Sequence, residues 1–306
     1  MTEKLVVPEP NRTVPVTMSD GAVVLLRRHG NPAGPRIAFS HGNGLAIDGY
    51  WPYWRNFCAD FDVVVFDVRN HGRNPLHTEA GHNWRQFVED FELLYETIQV
   101  EFGRKRTAGA FHSLSSIIAI AQSLDRGPRW DPLILFDSPL FPPPGHRLMT
   151  LEEEDMADMA ALARRRPDRY ADPSILAGQF ATGRNFQRWV KGAPELMARA
   201  TLRRDDVAGN WTLACPKLYE SQVFARNVDG LLWPRLHRLP IPTMVIGGDP
   251  NFELCPTPAV LCHAAAIEQG LAYARVPRTT HFLQIEEPEA CYRLTVDFLR
   301  ATGAVD

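Results

Sequence analysis

The chain has 306 residues, of which 45% are hydrophobic and 23% charged, with a formal net charge of −3. Those values fit a soluble globular protein built as one large domain with an insertion, or as two small ones. They give no electrostatic reason for nucleic acid or an anionic membrane as partner, and no stretch reaches the ~18–20 apolar residues of a membrane span.

Residues 1–12 are charged and Pro-bearing, with no apolar signal-peptide core, so a cytoplasmic protein is the expectation. The segments 14–18 and 23–28, separated by Ser19-Asp20-Gly21, read as an opening hairpin. Strands follow at 37–40 and 63–66, then a long helix over 84–102 with Phe87, Phe91, Leu94 and Ile98 on one face. A strand at 107–111 runs into an amphipathic helix at 114–124. Strands at 133–136, 244–246 and 273–276 and a closing helix at 289–302 complete the chain. Short β-branched runs alternating with helical patterns signify an α/β fold, a doubly wound, mostly parallel sheet covered on both faces. Between 138 and 234 the alternation stops, and the stretch opens with Pro139, Pro142, Pro143 and Pro144. About 95 residues without strand periodicity is too long for a connection, so the segment reads as an inserted helical cap. Thr150-Leu151-Glu152-Glu153 reads as a capping box that starts one of its helices, and Arg164-Arg165-Arg166 as a solvated helix end. The expected division is a core of 1–137 and 235–306 with the cap at 138–234. No internal repeat or low-complexity tract is visible.

Five cysteines stand at 58, 215, 255, 262 and 291, an odd number without a CxxC pair, so neither a disulfide framework nor a zinc site is indicated. Cys58 and Cys262 read as small buried hydrophobes, and Cys255 lies near a candidate acid without an expected role in catalysis.

Ser113 falls at the joint between the 107–111 strand and the next helix. A serine there is held on a sharp turn with its hydroxyl clear of the backbone, and the N–H of Leu114 faces a bound carbonyl oxygen. Downstream, Ile246-Gly247-Gly248-Asp249-Pro250 ends one strand with a carboxylate, and His281 follows the last strand in Thr280-His281-Phe282-Leu283-Gln284-Ile285-Glu286-Glu287-Pro288. The order Ser, Asp, His, the elbow around Ser113 and the His-x4-Glu-x-Pro loop resemble the α/β-hydrolase superfamily, from residue 14 to residue 301.

The resemblance implies an eight-stranded sheet of α/β-hydrolase type and a catalytic triad of Ser113, Asp249 and His281. Asp137, ending the preceding strand, is the rival acid, because some family members draw it from there; Glu253 is a third choice. His41-Gly42-Asn43-Gly44 resembles the family's oxyanion-hole loop, so the N–H of Asn43, or else of Gly44, would join that of Leu114. Asp67-Val68-Arg69-Asn70-His71-Gly72-Arg73 resembles a structural turn closed by an Asp–Arg contact, and His112 is expected to serve packing. The elbow departs from the family's G-x-S-x-G, with Phe111 and Ser115 where small residues are usual. Either the strand tilts to take the ring or the elbow is altered.

A serine in place of an aspartate at the elbow argues against dehalogenase and epoxide-hydrolase relatives. The implied enzyme is a serine hydrolase of an ester-like bond (carboxylesterase, lipase, thioesterase or lactonase type) on a small apolar acyl substrate, with no cofactor and no metal. A homodimer is compatible with this reading. Expected substrate-binding residues are Gly42, Gly44, Trp51, Trp54, Phe180 and Trp189, although Tyr50, Trp51, Tyr53 and Trp54 fit a core equally well. No acid-lined or base-lined pocket is apparent. The competing readings are a non-catalytic ligand-binding protein on this fold, and a lyase or C–C hydrolase using the same residues.

Overall fold

The apolar runs that predict strands do so because strands buried on both faces are hydrophobic throughout. In the computed structural model, which describes residues 5–225, 232–254 and 257–305, the central strands are wholly buried. The first half of the chain supplies β1 (Arg12–Thr17), β2 (Val23–Gly30), β3 (Arg36–Ser40), α1 (Trp51–Trp54), β4 (Asp62–Val65), α2 (Trp84–Glu101), β5 (Thr107–His112), α3 (Leu114–Arg126) and β6 (Leu133–Phe136). An insertion follows, with α4 (Met149–Arg165), β7 (Arg169–Tyr170), α5 (Pro173–Thr182), α6 (Ala193–Ala200), β8 (Leu202–Asp205), β9 (Asn210–Leu213) and α7 (Lys217–Ala225). The chain then returns through β10 (Thr243–Gly247), α8 (Thr257–Gln269), β11 (Ala272–Arg275), α9 (Leu283–Glu286) and α10 (Pro288–Ala301).

The main sheet has eight strands in the order β1-β2-β4-β3-β5-β6-β10-β11. Only β2 runs against its neighbours; the other pairings are parallel. Alternate residues of one strand feed opposite cores, as the two-residue period requires. Ile37 and Phe39 join one apolar cluster and Ala38 the other; Ile134 and Phe136 join the first, Leu133 and Leu135 the second.

The insertion differs from the sequence reading in two ways. It carries a small antiparallel sheet, β7-β9-β8, beside its helices. Its first helix starts at Met149 with Leu148 as N-cap and no side-chain cap bond, so Thr150 lies inside the helix and the expected capping box does not form. The arginine run at the other end of α4 is not simply solvated: Arg166 pairs with Glu220 at 2.6 Å and Arg164 donates to Ser221 at 3.1 Å, both on α7. Among the described residues no helix is long and apolar enough to cross a membrane.

Candidate active site

The parallel strands deliver their carboxyl ends to one edge, where open α/β sheets place ligands. Ser113 sits there between β5 and α3 with φ 52° and ψ −114°, a strained conformation for a residue with a side chain. The surroundings hold it. Ser113 N–H donates to the Phe136 carbonyl at 3.0 Å, Ser115 Oγ donates to the His112 carbonyl at 2.9 Å, and Ser116 Oγ donates to the Ser113 carbonyl at 2.5 Å. Ser138 Oγ bonds Ser116 Oγ at 2.7 Å, which ties the elbow to the residue after Asp137.

Phe111 fits this turn because Gly109 leaves it room. A Cβ at position 109 would lie 2.5 Å from the Phe111 ring and 2.8 Å from Trp130 Cβ. The ring packs into the core with Phe66, Phe91 and Trp130, away from the serine. The missing glycine before Ser113 is compensated one step further back along the same face of β5.

His281 pairs with Asp137. Its Nδ1 lies 2.6 Å from Asp137 Oδ2, and Asp137 is fully buried with a φ of 43°. Asp137 Oδ1 accepts the Gly248 N–H at 2.9 Å and the Cys262 thiol at 3.4 Å. The expected partnership of Asp249 with His281 is not made. Asp249 accepts instead from the N–H groups of Arg278 at 2.9 Å and Asn251 at 3.1 Å, with Arg275 at 3.4 Å. The Arg278 N–H in particular holds its pKa below the usual carboxylate value. Asp249 therefore fastens the base of the histidine loop, the turn role that its Gly-Gly-Asp-Pro setting also suggests. Glu253 likewise forms no described bond to His281. On the other side of the histidine, the buried Glu286 accepts the N–H of Thr280 at 2.8 Å and also its hydroxyl, which explains the spacing of the His-x4-Glu pattern.

Ser113 Oγ makes no hydrogen bond with His281 among the described residues, and the two are joined through His112. That imidazole is fully buried, with Nε2 2.9 Å from the His281 carbonyl and Nδ1 2.7 Å from Tyr50 Oη. A carbonyl can only accept, so Nε2 carries the proton and Nδ1 receives the Tyr50 hydroxyl. Tyr50 Oη in turn accepts the Gly42 N–H at 3.4 Å. Burial, with His281 close by, holds the His112 pKa well below its ordinary value, so this link is neutral. His112 is a connector between two loops, not a packing residue. Neither it nor Tyr50 carries a sequence signal for this role, because the partners are 8 to 169 residues away.

The glycine loop lies against the elbow: a Cβ on Gly42 would stand 3.2 Å from Ser113 Cβ. The N–H of Gly42 is engaged by Tyr50 and that of Gly44 by His71 Nε2 at 3.1 Å, which leaves Asn43 between them. The Asn43 side chain donates to the carbonyl of Glu220 on α7 at 2.9 Å, so the insertion holds this loop from above. Leu114, as the first residue of α3, has no intrahelical acceptor for its N–H.

Below the loop, the expected Asp67–Arg69 contact is absent. Asp67 binds Arg27 at 3.1 Å and the Ile47 N–H at 2.8 Å, while Arg69 pairs with Asp90 and Asp20, each at 2.6 Å. The turn is braced, but by neighbouring elements.

Among the expected substrate-binding residues, Trp54 is excluded from a pocket: it is fully buried and its indole N–H donates to Ile47 at 3.0 Å. Trp51 packs edge-on against it with centroids 4.4 Å apart. Phe180 and Trp189 from the insertion lie in one aromatic cluster with Phe186, and Trp189 reaches Phe282, the neighbour of His281, at 5.4 Å. Cys58 is partly buried and Cys262 buried, whereas Cys255 lies outside the described residues. Among the described residues no group of three or more His, Cys, Asp or Glu side chains could hold a metal ion.

No curated protein matches the sequence. Solved structures do resemble it. E-2-(acetamidomethylene)succinate hydrolase shares 18% identity at a TM-score of 0.76, covering 94% of this chain and 99% of its own. The thioesterase domain of the curacin biosynthetic pathway shares 16% at 0.71, covering 93% and 99%. The esterase RhEst1 from Rhodococcus sp. ECU1013 shares 16% at 0.71, covering 95% and 99%. At such identities the likeness concerns the fold. The sequence model of the alpha/beta hydrolase family matches residues 23–294, which takes in the elbow, the glycine loop and the histidine loop, and the chain belongs to that family.

Proposed function

We propose that the protein is a serine hydrolase that cleaves an ester-like bond through Ser113, His281 and Asp137. The observation that carries this reading is the buried Asp137–His281 pair at 2.6 Å beside a serine held at φ 52° on the strand-to-helix turn. Asp137 fixes the imidazole with its proton on Nδ1, leaving Nε2 free to take the Ser113 proton. Ser113 Oγ then attacks the acyl carbon, and the negative charge on the carbonyl oxygen falls to the N–H groups of Leu114 and Asn43. His281 returns the proton to the leaving alcohol or thiol. A water molecule, deprotonated by the same nitrogen, releases the acid and restores the serine.

The acyl group proposed is small and apolar, because Phe180, Phe186, Trp189 and Phe282 form the aromatic wall beside the histidine. In the same reading residues 138–234 act as a lid on a core formed by the rest of the chain, and no cofactor takes part. The solved structures of similar fold include an esterase and a thioesterase, which supports this bond class.

A fluorophosphonate probe tests the proposal, since only an activated serine is phosphonylated. Labelling is expected on Ser113, and Ser113→Ala should abolish both labelling and hydrolysis of p-nitrophenyl esters by several orders of magnitude. An unlabelled, folded protein would mean binding without hydrolysis.

A further inference from the structure

A cavity lies away from the serine, where α6 and β8 of the insertion meet the turn after β4 and the N-terminal segment. Its volume is about 690 Å³, within the range of small-molecule sites, and neither Ser113, His281 nor Asp137 lines it. Four arginines do: Arg73, Arg199, Arg203 and Arg204. The one carboxylate in the lining is already neutralised, since Asp48 binds Arg27 at 2.5 Å and Arg73 at 2.8 Å.

Two of the arginines are unspent. Arg203 is half-buried, yet among the described residues it has no carboxylate partner and donates only to the Asn70 carbonyl, at 3.4 Å. Burial accordingly pulls its pKa below the ordinary guanidinium value. Arg199 is exposed at the rim and has no described partner. Arg204 pairs with Asp206 at 3.5 Å, a contact outside the cavity lining. Asp67 acts on Arg203 only from a distance, without a direct ion pair, and an anion that fills the guanidinium fork with paired oxygens offsets the remaining burial cost. Leu5, Val7, Leu196 and Leu202 supply an apolar wall beside the charged one.

We propose that this cavity is a binding site for a phosphorylated small molecule with an apolar end, its phosphate held by Arg199 and Arg203. A doubly charged phosphate suits two guanidiniums better than a single carboxylate does, because its three terminal oxygens can face both forks where a carboxylate offers two. The residues that build the site lie at 48, 73 and 199–204, so no local run in the sequence announces it.

Isothermal titration with sodium pyrophosphate and with n-hexyl phosphate, at constant ionic strength, tests the assignment. Both should bind saturably at one site per chain, hexyl phosphate more tightly than sodium phosphate and sodium hexanoate titrated alongside as controls. Arg199→Gln and Arg203→Gln should each weaken binding about tenfold, the loss of a charge-assisted hydrogen bond. Arg199 is on the surface, so its variant tests the site even if the Arg203 variant misfolds. Ser113→Ala should bind unchanged, which separates this cavity from the hydrolytic site. Absence of saturable binding, equal affinity for hexanoate, or full affinity in Arg199→Gln would overturn the proposal.

Discussion

Two carboxylates compete for His281, and their hydrogen bonds assign them different work. Asp137→Asn keeps the shape but favours the wrong imidazole tautomer, so kcat should fall by ~10⁴-fold with the fold unchanged. Asp249→Asn should leave kcat nearly intact and cost ~1 kcal/mol of stability, because the bonds from Arg278 and Asn251 weaken. Steady-state kinetics beside urea denaturation of both variants checks the pair of outcomes; a large kcat loss confined to Asp249→Asn would return the acid to that residue. Gly109 makes a second single-residue case. An added methyl meets the Phe111 ring at 2.5 Å, and overpacking of that kind costs ~1–3 kcal/mol. Gly109→Ala should therefore shift the urea midpoint downward, while Gly109→Ala with Phe111→Leu should recover part of the loss.

Helix α4 carries a titratable group where a core residue would be expected. Glu152 is fully buried and neither carboxylate oxygen finds a partner among the described residues. Burial, with Asp155 one turn on, pushes its pKa from 4.5 up to about 8. The folded chain thus holds a proton that the unfolded chain has released. Stability is full below about 4.5 and declines as pH rises toward 8, by at most ~1.4 kcal/mol per pH unit. Glu152→Gln should flatten that slope and raise stability at the alkaline end, as read from urea unfolding at a series of pH values.

The strands are legible because burial on both faces makes them short apolar runs, and Ser113 because a strand passes directly into an amphipathic helix. The acid is not legible. β6 and β10 are parallel neighbours with Phe136 opposite Ile246, so Asp137 and Asp249 leave adjacent strands within two residues of register, each just past an apolar strand. Local pattern cannot tell which of them turns toward a histidine far along the chain. The glycines around Asp249 point to a tight loop, and the donor that Gly248 gives Asp137 comes from that loop. The bonding roles of Arg27, Tyr50 and His112 are hidden for a related reason: each is set by a partner on another strand or loop.

For the molecule as a whole, the contacts of the insertion with the site include the aromatic cluster against Phe282, the bond from Asn43 to Glu220 and the bond from Ser138 to Ser116. If the aromatics bound the acyl pocket, polar replacements at Phe180 or Trp189 should alter the ratio of kcat/KM between short- and long-chain p-nitrophenyl esters. One pocket contact is worth ~1–3 kcal/mol, so ratios should move by about 10–200-fold. Equal losses on all esters, with the variants folded by circular dichroism, would leave the cluster only a packing role.

The bond from the Asn43 amide to the Glu220 carbonyl limits how this enzyme can be re-engineered. An inserted segment beside a site is a tempting part to exchange. Here part of the support for the glycine loop belongs to the insertion, and Glu220 is itself fixed by Arg166 at the end of α4. A grafted lid that brings new side chains but no carbonyl at that place would change the substrate and loosen the catalyst together. Deleting the insertion should accordingly yield a poorer hydrolase, not a broader one.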